Sequence, residues 1–351
     1  MMKINYNPKP KIIIDRRKRT IIAETTFGGF LIPKGHPPIR NKFTRNTVYV
    51  LDGLIRFVNA TVYDEGGTSR TAYTSYGGLN YFYGAGAAHV NMGPTFFVQY
   101  GIGYTTPTIT DNNLASPDIH LPTNYFDIIE EADSTTILFA ARWSPDSNKE
   151  YREACLKWLF DTNNNASAML ARIVFPAVLP REAFVNYFEG YTIKFPSTFT
   201  KWFIRALFSA VCGHDRRPTR GMTFKAQDGS SYCIQAPRPF AGSPDVMIGS
   251  DNTPASPSDH NLKSPIASLA NQTQIIEVDT ILQEARIFRY GTYTPSVDTI
   301  LGEVGLFANI NGFAGGSLAG RKTLLSRVAL SEPITLTAGN TYTIGIIIKV
   351  S

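Results

Sequence analysis

Two stretches of the chain spell the same word. Asp111-Asn112-Asn113-Leu114-Ala115-Ser116-Pro117 and Asp259-His260-Asn261-Leu262-Lys263-Ser264-Pro265 share the pattern D-x-N-L-x-S-P, and Thr106-Pro107 and Thr253-Pro254 stand upstream of them. Ile102-Gly103 and Ile248-Gly249 come just before. The matches continue in order toward the C-terminal side. Leu170-Ala171-Arg172 matches Leu325-Ser326-Arg327 at a shift of 155, and at that shift Tyr187 falls on Tyr342, Gly190 on Gly345, Ile193 on Ile348 and Lys194 on Lys349. Leu159-Phe160 faces Leu306-Phe307, and Glu65-Gly66-Gly67-Thr68-Ser69 resembles Gln227-Asp228-Gly229-Ser230-Ser231. A period near 150 residues implies two whole domains in tandem, not a solenoid of short repeats. The 351 residues suffice for two domains of ordinary size.

The residues between these landmarks favour strands. Tyr, Phe, Thr, Val and Ile alternate with Gly, Pro, Asn and Asp clusters, the mixture that pleated segments and tight turns require. Strands are expected at Ala60–Tyr63, Thr95–Tyr100, Thr136–Trp143, Glu153–Phe160, Met169–Phe175 and Phe184–Phe195. A second series is expected at Met222–Ala226, Thr273–Val278, Glu284–Phe288, Val304–Ala308, Leu324–Leu330 and Thr341–Val350. Val48–Val58 suits a helix or a strand. One segment carries a clear helical period: Phe199, Trp202, Phe203, Ala206, Leu207, Ala210 and Val211 share a face, with Thr198 as start cap and Gly213 as stop. The expected fold is all-β: two tandem antiparallel β-sandwich, jelly-roll-like modules over 45–197 and 198–351. The second module opens with an amphipathic helix over 199–212, and an extended arm over 1–44 precedes both.

The arm carries the charge. Residues 1–45 hold eleven Lys and Arg against two acids, so the remaining chain is close to neutral despite a net charge of +6. Proline at Pro8 and Pro10 and glycine at Gly28-Gly29 read as irregular backbone. Ile12, Ile13 and Ile14 precede the basic cluster Arg16-Arg17-Lys18-Arg19. Interleaved apolar groups point to an arm lying on a neighbouring subunit, and nucleic acid would be reached only through this segment. No apolar run reaches the roughly 18 residues of a membrane span. The Lys9–Arg19 stretch is too charged for the apolar part of a signal peptide.

The search for chemistry returns structural readings. Cys155, Cys212 and Cys233 form no C-x-x-C pair, and none of the five histidines stands at metal-ligand spacing from another His or Cys. Cys212-Gly213-His214-Asp215 is a poor nucleophile site, because adjacent residues seldom face one point. Gly84-Ala85-Gly86 and Gly101-Ile102-Gly103 are lone G-x-G words and read as turns. The loop words lack the carboxylate density of a calcium cage. Asp111 and Asp259 are therefore expected to fix turns by accepting backbone N–H bonds, with no second carboxylate, His or Cys at a spacing that builds a site. Leu114 and Leu262 are expected to anchor the loops, and no catalytic residue, metal or cofactor is expected. Asn59, Asn165 and Asn271 lie in N-x-[ST] words that matter only outside the cytosol.

Taken together, Ile248-Gly249, Thr253-Pro254, Asp259, Leu262, Glu303-Val304-Gly305-Leu306-Phe307 and Leu325-Ser326-Arg327 resemble structural proteins of tailed phages and archaeal viruses. The resemblance covers about residues 45–351. In the first module the E-V-G-L-F word is matched to Leu156-Lys157-Trp158-Leu159-Phe160. What the resemblance implies is a non-enzymatic virion protein, assembled in the host cytoplasm as a repeated subunit of a tail, baseplate, capsid vertex or decoration. Its partners would be copies of itself and other virion proteins. A second reading, from a different class, is a β-sandwich that binds carbohydrate or a host surface, since Tyr and Trp on loop tips stack on sugars.

Overall fold

The computed structural model describes residues 4, 6, 8–72, 81–83, 89–91, 96–161, 166–212, 222–235, 239–314 and 317–350. The expected helix stop at Gly213, the Gly213-His214-Asp215 stretch, most of Gly77–Ala88 including Gly84-Ala85-Gly86, and Asn165 lie outside these residues.

The chain opens with a hairpin of β1 (Lys11–Asp15) and β2 (Thr20–Ile32), followed by the short β3 (Ile39–Arg40) and β4 (Lys42–Phe43). Helix α1 (Arg45–Arg56) leads into a hairpin of β5 (Ala60–Tyr63) and β6 (Ser69–Ala72), and then a pair β7 (Tyr81–Tyr83) and β8 (His89–Asn91). Next come β9 (Phe96–Gly101), β10 (Pro117–Pro122), β11 (Tyr125–Glu130), β12 (Ser134–Trp143), β13 (Lys149–Asp161), β14 (Ala166–Arg181) and β15 (Tyr187–Pro196). Helix α2 (Lys201–Cys212) leads into a hairpin of β16 (Thr223–Lys225) and β17 (Ser231–Ile234). The chain ends with β18 (Phe240–Gly249), β19 (Pro265–Ser268), β20 (Ala270–Asp279), β21 (Glu284–Tyr293), β22 (Thr299–Ala314), β23 (Ser317–Leu336) and β24 (Tyr342–Val350). The protein is predominantly β.

Strand order repeats between the halves. In the first, β10-β9-β13-β14 form one sheet while β11-β12-β15 run in another; in the second, β19-β18-β22-β23 and β20-β21-β24 do the same. The first group of each half also takes a short antiparallel contact from the segment before its helix. Lys42-Phe43 pair with β14, and Phe199 bridges Ser326 of β23.

The nine-stranded sheet has the order β11-β12-β15-β2-β24-β21-β20, which is a palindrome about β2 when equivalent strands of the halves are matched. Strand β2 is antiparallel to β15 through Gly28–Ile32 and parallel to β24 through Thr20–Phe27. The two halves thus meet with opposed strand directions across one shared strand. The helices cross the seam reciprocally: α1 lies against β18, β20 and β21 of the other half, and α2 against β11 and β12. One contiguous apolar core follows, running from Ile21 and Phe27 through Phe96, Phe139 and Phe203 to Val304 and Val350.

Two expectations are corrected here. Residues 1–44 are not an arm without a core. Ile21, Ile22, Ala23, Phe27, Phe30 and Leu31 are buried, because β2 carries an apolar face between two sheets that each need a further strand. Arg16–Arg19 form the turn of the β1–β2 hairpin, whose first residue Asp15 accepts the Arg17 and Lys18 N–H groups at 3.0 and 3.1 Å. The start of α2 also differs. Thr200, not Thr198, caps it, accepting the Phe203 N–H at 3.3 Å while its hydroxyl donates to the Leu324 carbonyl at 2.6 Å. Val48–Val58 resolves as helix α1 through Arg56.

Candidate functional site

Each D-x-N-L-x-S-P loop wraps a buried arginine. In the first half Arg172, on β14, donates from Nη1 to Asp111 Oδ2 at 2.6 Å. It also donates from Nε and Nη2 to Glu153 Oε2 at 3.1 and 2.7 Å. In the second half Arg327, on β23, reaches Asp259 Oδ2 at 3.1 Å and Glu303 Oε2 at 2.5 Å. Both arginines and both glutamates are buried. The remaining donors are used as well: Arg172 Nη2 meets the Thr105 carbonyl and hydroxyl at 3.0 and 2.8 Å, and Arg327 Nη2 meets Asp251 Oδ1 at 3.2 Å. Burial disfavours the Arg172 charge, but hydrogen bonds to Asp111 and Glu153 outweigh it and raise its pKa.

The glutamates tie the loop down by its backbone. Glu153 accepts N–H bonds from Gly103, Ala115 and Ser116 at 3.1, 3.1 and 2.8 Å. Glu303 accepts them from Lys263 and Ser264 at 3.2 and 2.9 Å. Gly101 and Gly249 make this close approach possible. A Cβ at either would meet the glutamate side chain together with the carbonyl of Ser116 or Ser264.

The remaining letters of the word also have partners. Asp111 accepts the Thr108 N–H and Asp259 the Ser256 N–H, both at 3.0 Å, closing the turn that precedes the arginine contact. Asn113 and Asn261 accept the next residue's N–H at 2.9 and 2.8 Å. Their amides face the tips of the β5–β6 and β16–β17 hairpins, through Glu65 at 3.4 Å and Gln227 at 3.3 Å. Leu114 packs with Cys155 and Met169, and Leu262 with Phe307 and Leu324. The Ile109 and Pro257 carbonyls accept the first helical N–H of α1 and α2, from Arg45 and Lys201, at 2.8 and 2.7 Å. One loop therefore fixes a helix start, a hairpin tip and a buried charge.

Thr106 and Pro107 carry none of these contacts; the neighbouring Thr105 does. Thr253 is exposed and donates its N–H to Asp251 at 2.8 Å, while the Pro254 carbonyl accepts from Arg327 at 3.3 Å. The hydrogen bond from Thr253 is the main cause holding the Asp251 carboxyl below its ordinary value. The expectation that Asp111 and Asp259 stand without a second carboxylate is corrected, since Glu153 and Glu303 share their arginines. Matching E-V-G-L-F to Leu156–Phe160 is corrected too: Glu153 pairs with Gly101 as Glu303 pairs with Gly249, so Glu153-Ala154-Cys155-Leu156 is the equivalent stretch. The shared E-x-x-L was the signal that locates the glutamates. Burial pushes the Cys155 thiol up to about 12, which keeps it protonated and a poor nucleophile.

A second polar cluster exists in one half only. Arg181 donates from Nε to Glu189 Oε1 at 2.7 Å, both buried, and its guanidinium lies 4.6 Å from the Tyr187 ring centroid. Arg181 Nη2, Glu189 Oε2, the Tyr100 hydroxyl and Trp143 Nε1 make no hydrogen bond of good geometry, although the Tyr100 hydroxyl lies close enough to Glu189 and Arg181 to interact with both. Burial, then the Glu189 charge, pushes the Tyr100 hydroxyl well above its ordinary pKa. At the equivalent positions of the second half stand the buried, apolar Leu336, Ile344 and Ile248.

Among the described residues, no group of three or more His, Cys, Asp and Glu side chains is placed to hold a metal ion. No described helix is long and apolar enough to cross a membrane. The sequence matches no protein-family model, no curated protein and no solved structure.

Proposed function

We propose that this chain is a non-enzymatic structural protein of a virus particle, built as two tandem β-sandwich, jelly-roll-like modules and used as a repeated subunit of a symmetric assembly. The observation that carries the reading is the contrast between interior and surface. Inside, the charged side chains of both loop nodes are engaged with one another and with backbone, and stiffen a doubled β body. Outside, large aliphatic side chains stand in water at turns and on the first strand. Ile281 is 91% exposed, Val297 67% and Leu282 64%, and Ile13, Ile14 and Ile300 are also exposed. Such groups suit burial against other protein surfaces.

The second reading, a carbohydrate- or host-surface-binding protein, draws on Phe184 at 79% and Tyr104 at 76% exposure. The aliphatic majority favours assembly, because sugars stack on aromatic faces. Light scattering across a concentration series, followed by electron microscopy, tests the choice. A defined homo-oligomer or regular particle supports the subunit reading. A strict monomer at every concentration, retained on a glycan surface, would replace it with the second.

A further inference from the structure

Strand β1 lies off the main strand order of the nine-stranded sheet, beside the first part of β2. It pairs with β2 on one side, Lys11 opposite Glu24 through Asp15 opposite Thr20, and among the described residues no strand pairs with its other side. Its sequence is Lys-Ile-Ile-Ile-Asp, with Ile13 38% and Ile14 46% exposed. Alternation puts Lys11, Ile13 and Asp15 on one face and Ile12 and Ile14 on the other. Ile12 packs against the core, and Ile14 lines an open groove of about 450 Å³ with Ile21, Ile334 and Tyr342.

We propose that the free edge of β1 pairs antiparallel with β1 of a second copy of this chain, about a two-fold axis at Ile13. This rests on the repeated-subunit reading and names the contact it uses. The stretch is self-complementary in that register. Lys11 of each copy stands opposite Asp15 of the other, Ile13 meets Ile13, and Ile12 meets Ile14. Both charge pairs and the central apolar pair fall on one face, and the groove-side Ile14 gains cover on the other. Cross-strand opposite charges attract and like charges repel at this distance. A two-fold contact must present one patch to itself, and a five-residue strand with a cation at one end and an anion at the other meets that requirement. The basic turn Arg16–Arg19 follows directly, so sliding the register two places toward it sets Lys11 against Arg17, and sliding two places the other way sets Lys11 against Ile13 and loses the central Ile13 pair. An unpaired, apolar edge is also the kind of surface on which strands add.

The test uses two full-length variants, Lys11→Asp and Asp15→Lys, alone and mixed, with self-association read by sedimentation equilibrium. Each variant alone places two like-charge pairs across the axis, and its β1 contact should weaken about tenfold or more relative to wild type. In the mixture, the Lys11→Asp site of one copy faces the Asp15→Lys site of the other, and the two unchanged residues, Asp15 and Lys11, face each other at the far end. Both pairs are again of opposite charge, so a mixed dimer should form with near wild-type affinity. Recovery on mixing also shows that both variants are folded, including the one that loses the Asp15 turn bonds. Variants that self-associate as strongly as wild type overturn the proposal, and so does failure of the mixture to recover. In the first case an assembly held by other surfaces survives; a wild-type chain that stays monomeric throughout removes the subunit reading as well.

Discussion

The Arg181–Glu189 pair can be removed and the protein should not notice, provided both residues go together. The two are 2% and 0% exposed, and one bond of 2.7 Å joins them. Arg181 gains a second bond from Nη1 to the Pro180 carbonyl at 2.8 Å, but Nη2 and Glu189 Oε2 make no hydrogen bond of good geometry and have only the nearby Tyr100 hydroxyl beside them. Taking two ions out of water costs several kcal/mol for each, and the mutual attraction repays it only when the leftover donors and acceptors are also satisfied. Here they are not. Arg181→Leu alone strands a buried carboxylate, and Glu189→Ile alone strands a buried guanidinium, so each should cost about 3–5 kcal/mol. The double variant installs the side chains that the second half already holds at these positions, Leu336 and Ile344, both 0% exposed. It should lie within about 1 kcal/mol of wild type or exceed it, the usual range for replacing a buried pair by apolar groups of similar volume. The assay is urea unfolding of wild type, both single variants and the double, compared at constant slope. Additive losses, with the double variant as low as the sum of the singles, would refute the reasoning and mean that the pair stabilises the fold through contacts beyond itself.

Four further outcomes follow from the nodes, the β5–β6 hairpin and the shared strand. Glu303→Ala should cost about 3–5 kcal/mol by leaving Arg327 and two loop N–H groups without their main partner. Asp259→Ala, which leaves Arg327 with Glu303 and Asp251, should cost about 1–3 kcal/mol, and a chelator should leave the melting temperature of both variants and wild type unmoved. Asp64 is held below the ordinary carboxylate range: burial opposes its charge, but bonds from Arg70, Thr68 and Gly66 outweigh burial. Its contribution to stability is therefore present above the ordinary value of 3.8 and lost as the pH falls through the lower folded value, and Asp64→Asn should flatten that part of an acid titration followed by circular dichroism. Deleting residues 1–32 should give an unfolded or aggregated chain, checked by solubility and chemical-shift dispersion, whereas deleting residues 1–8 should leave a folded one.

What could be read from the sequence was what is local. The D-x-N-L-x-S-P word is legible because its Asp and Asn act on N–H groups one to three residues away, and a turn of that kind writes itself into adjacent letters. Helix α2 is legible because a helical period sustained over twelve residues averages over single exceptions. Glu153 and Glu303 were hidden for the opposite reason. Each works at long range, toward a loop some forty residues upstream and an arginine some twenty residues downstream. Short strands such as Pro265–Ser268 carry too few residues to show an alternation. The Leu-Phe match at 159–160 and 306–307 drew the register aside by three residues, because two apolar letters in an apolar strand have little power to fix an alignment.

Strand β2 was missed because the same letters serve an irregular loop and a shared strand. Two sheets that end in β15 and β24 would each leave an apolar edge open at the seam. A single strand can close both only if it pairs with one along its first part and with the other along its second. The change of partner falls between Phe27 and Gly28. There the backbone is approached closely: a Cβ at Gly28 would meet the Tyr6 ring, and one at Gly29 would meet Asn41 and Phe43. Two consecutive glycines, read as a break, are what let the strand pass from pairing with one half to pairing with the other without a clash. The basic cluster before it has the same double meaning, since Arg16–Arg19 can be solvated in a tail or in a hairpin turn equally well. The distinction lies in Thr20–Ile32, where buried and half-buried side chains on both faces mark a strand enclosed on both sides. Its local partners β1 and β3 are short, and the strands that enclose it, β15 and β24, lie more than 150 residues away, where no window of its own sequence contains them.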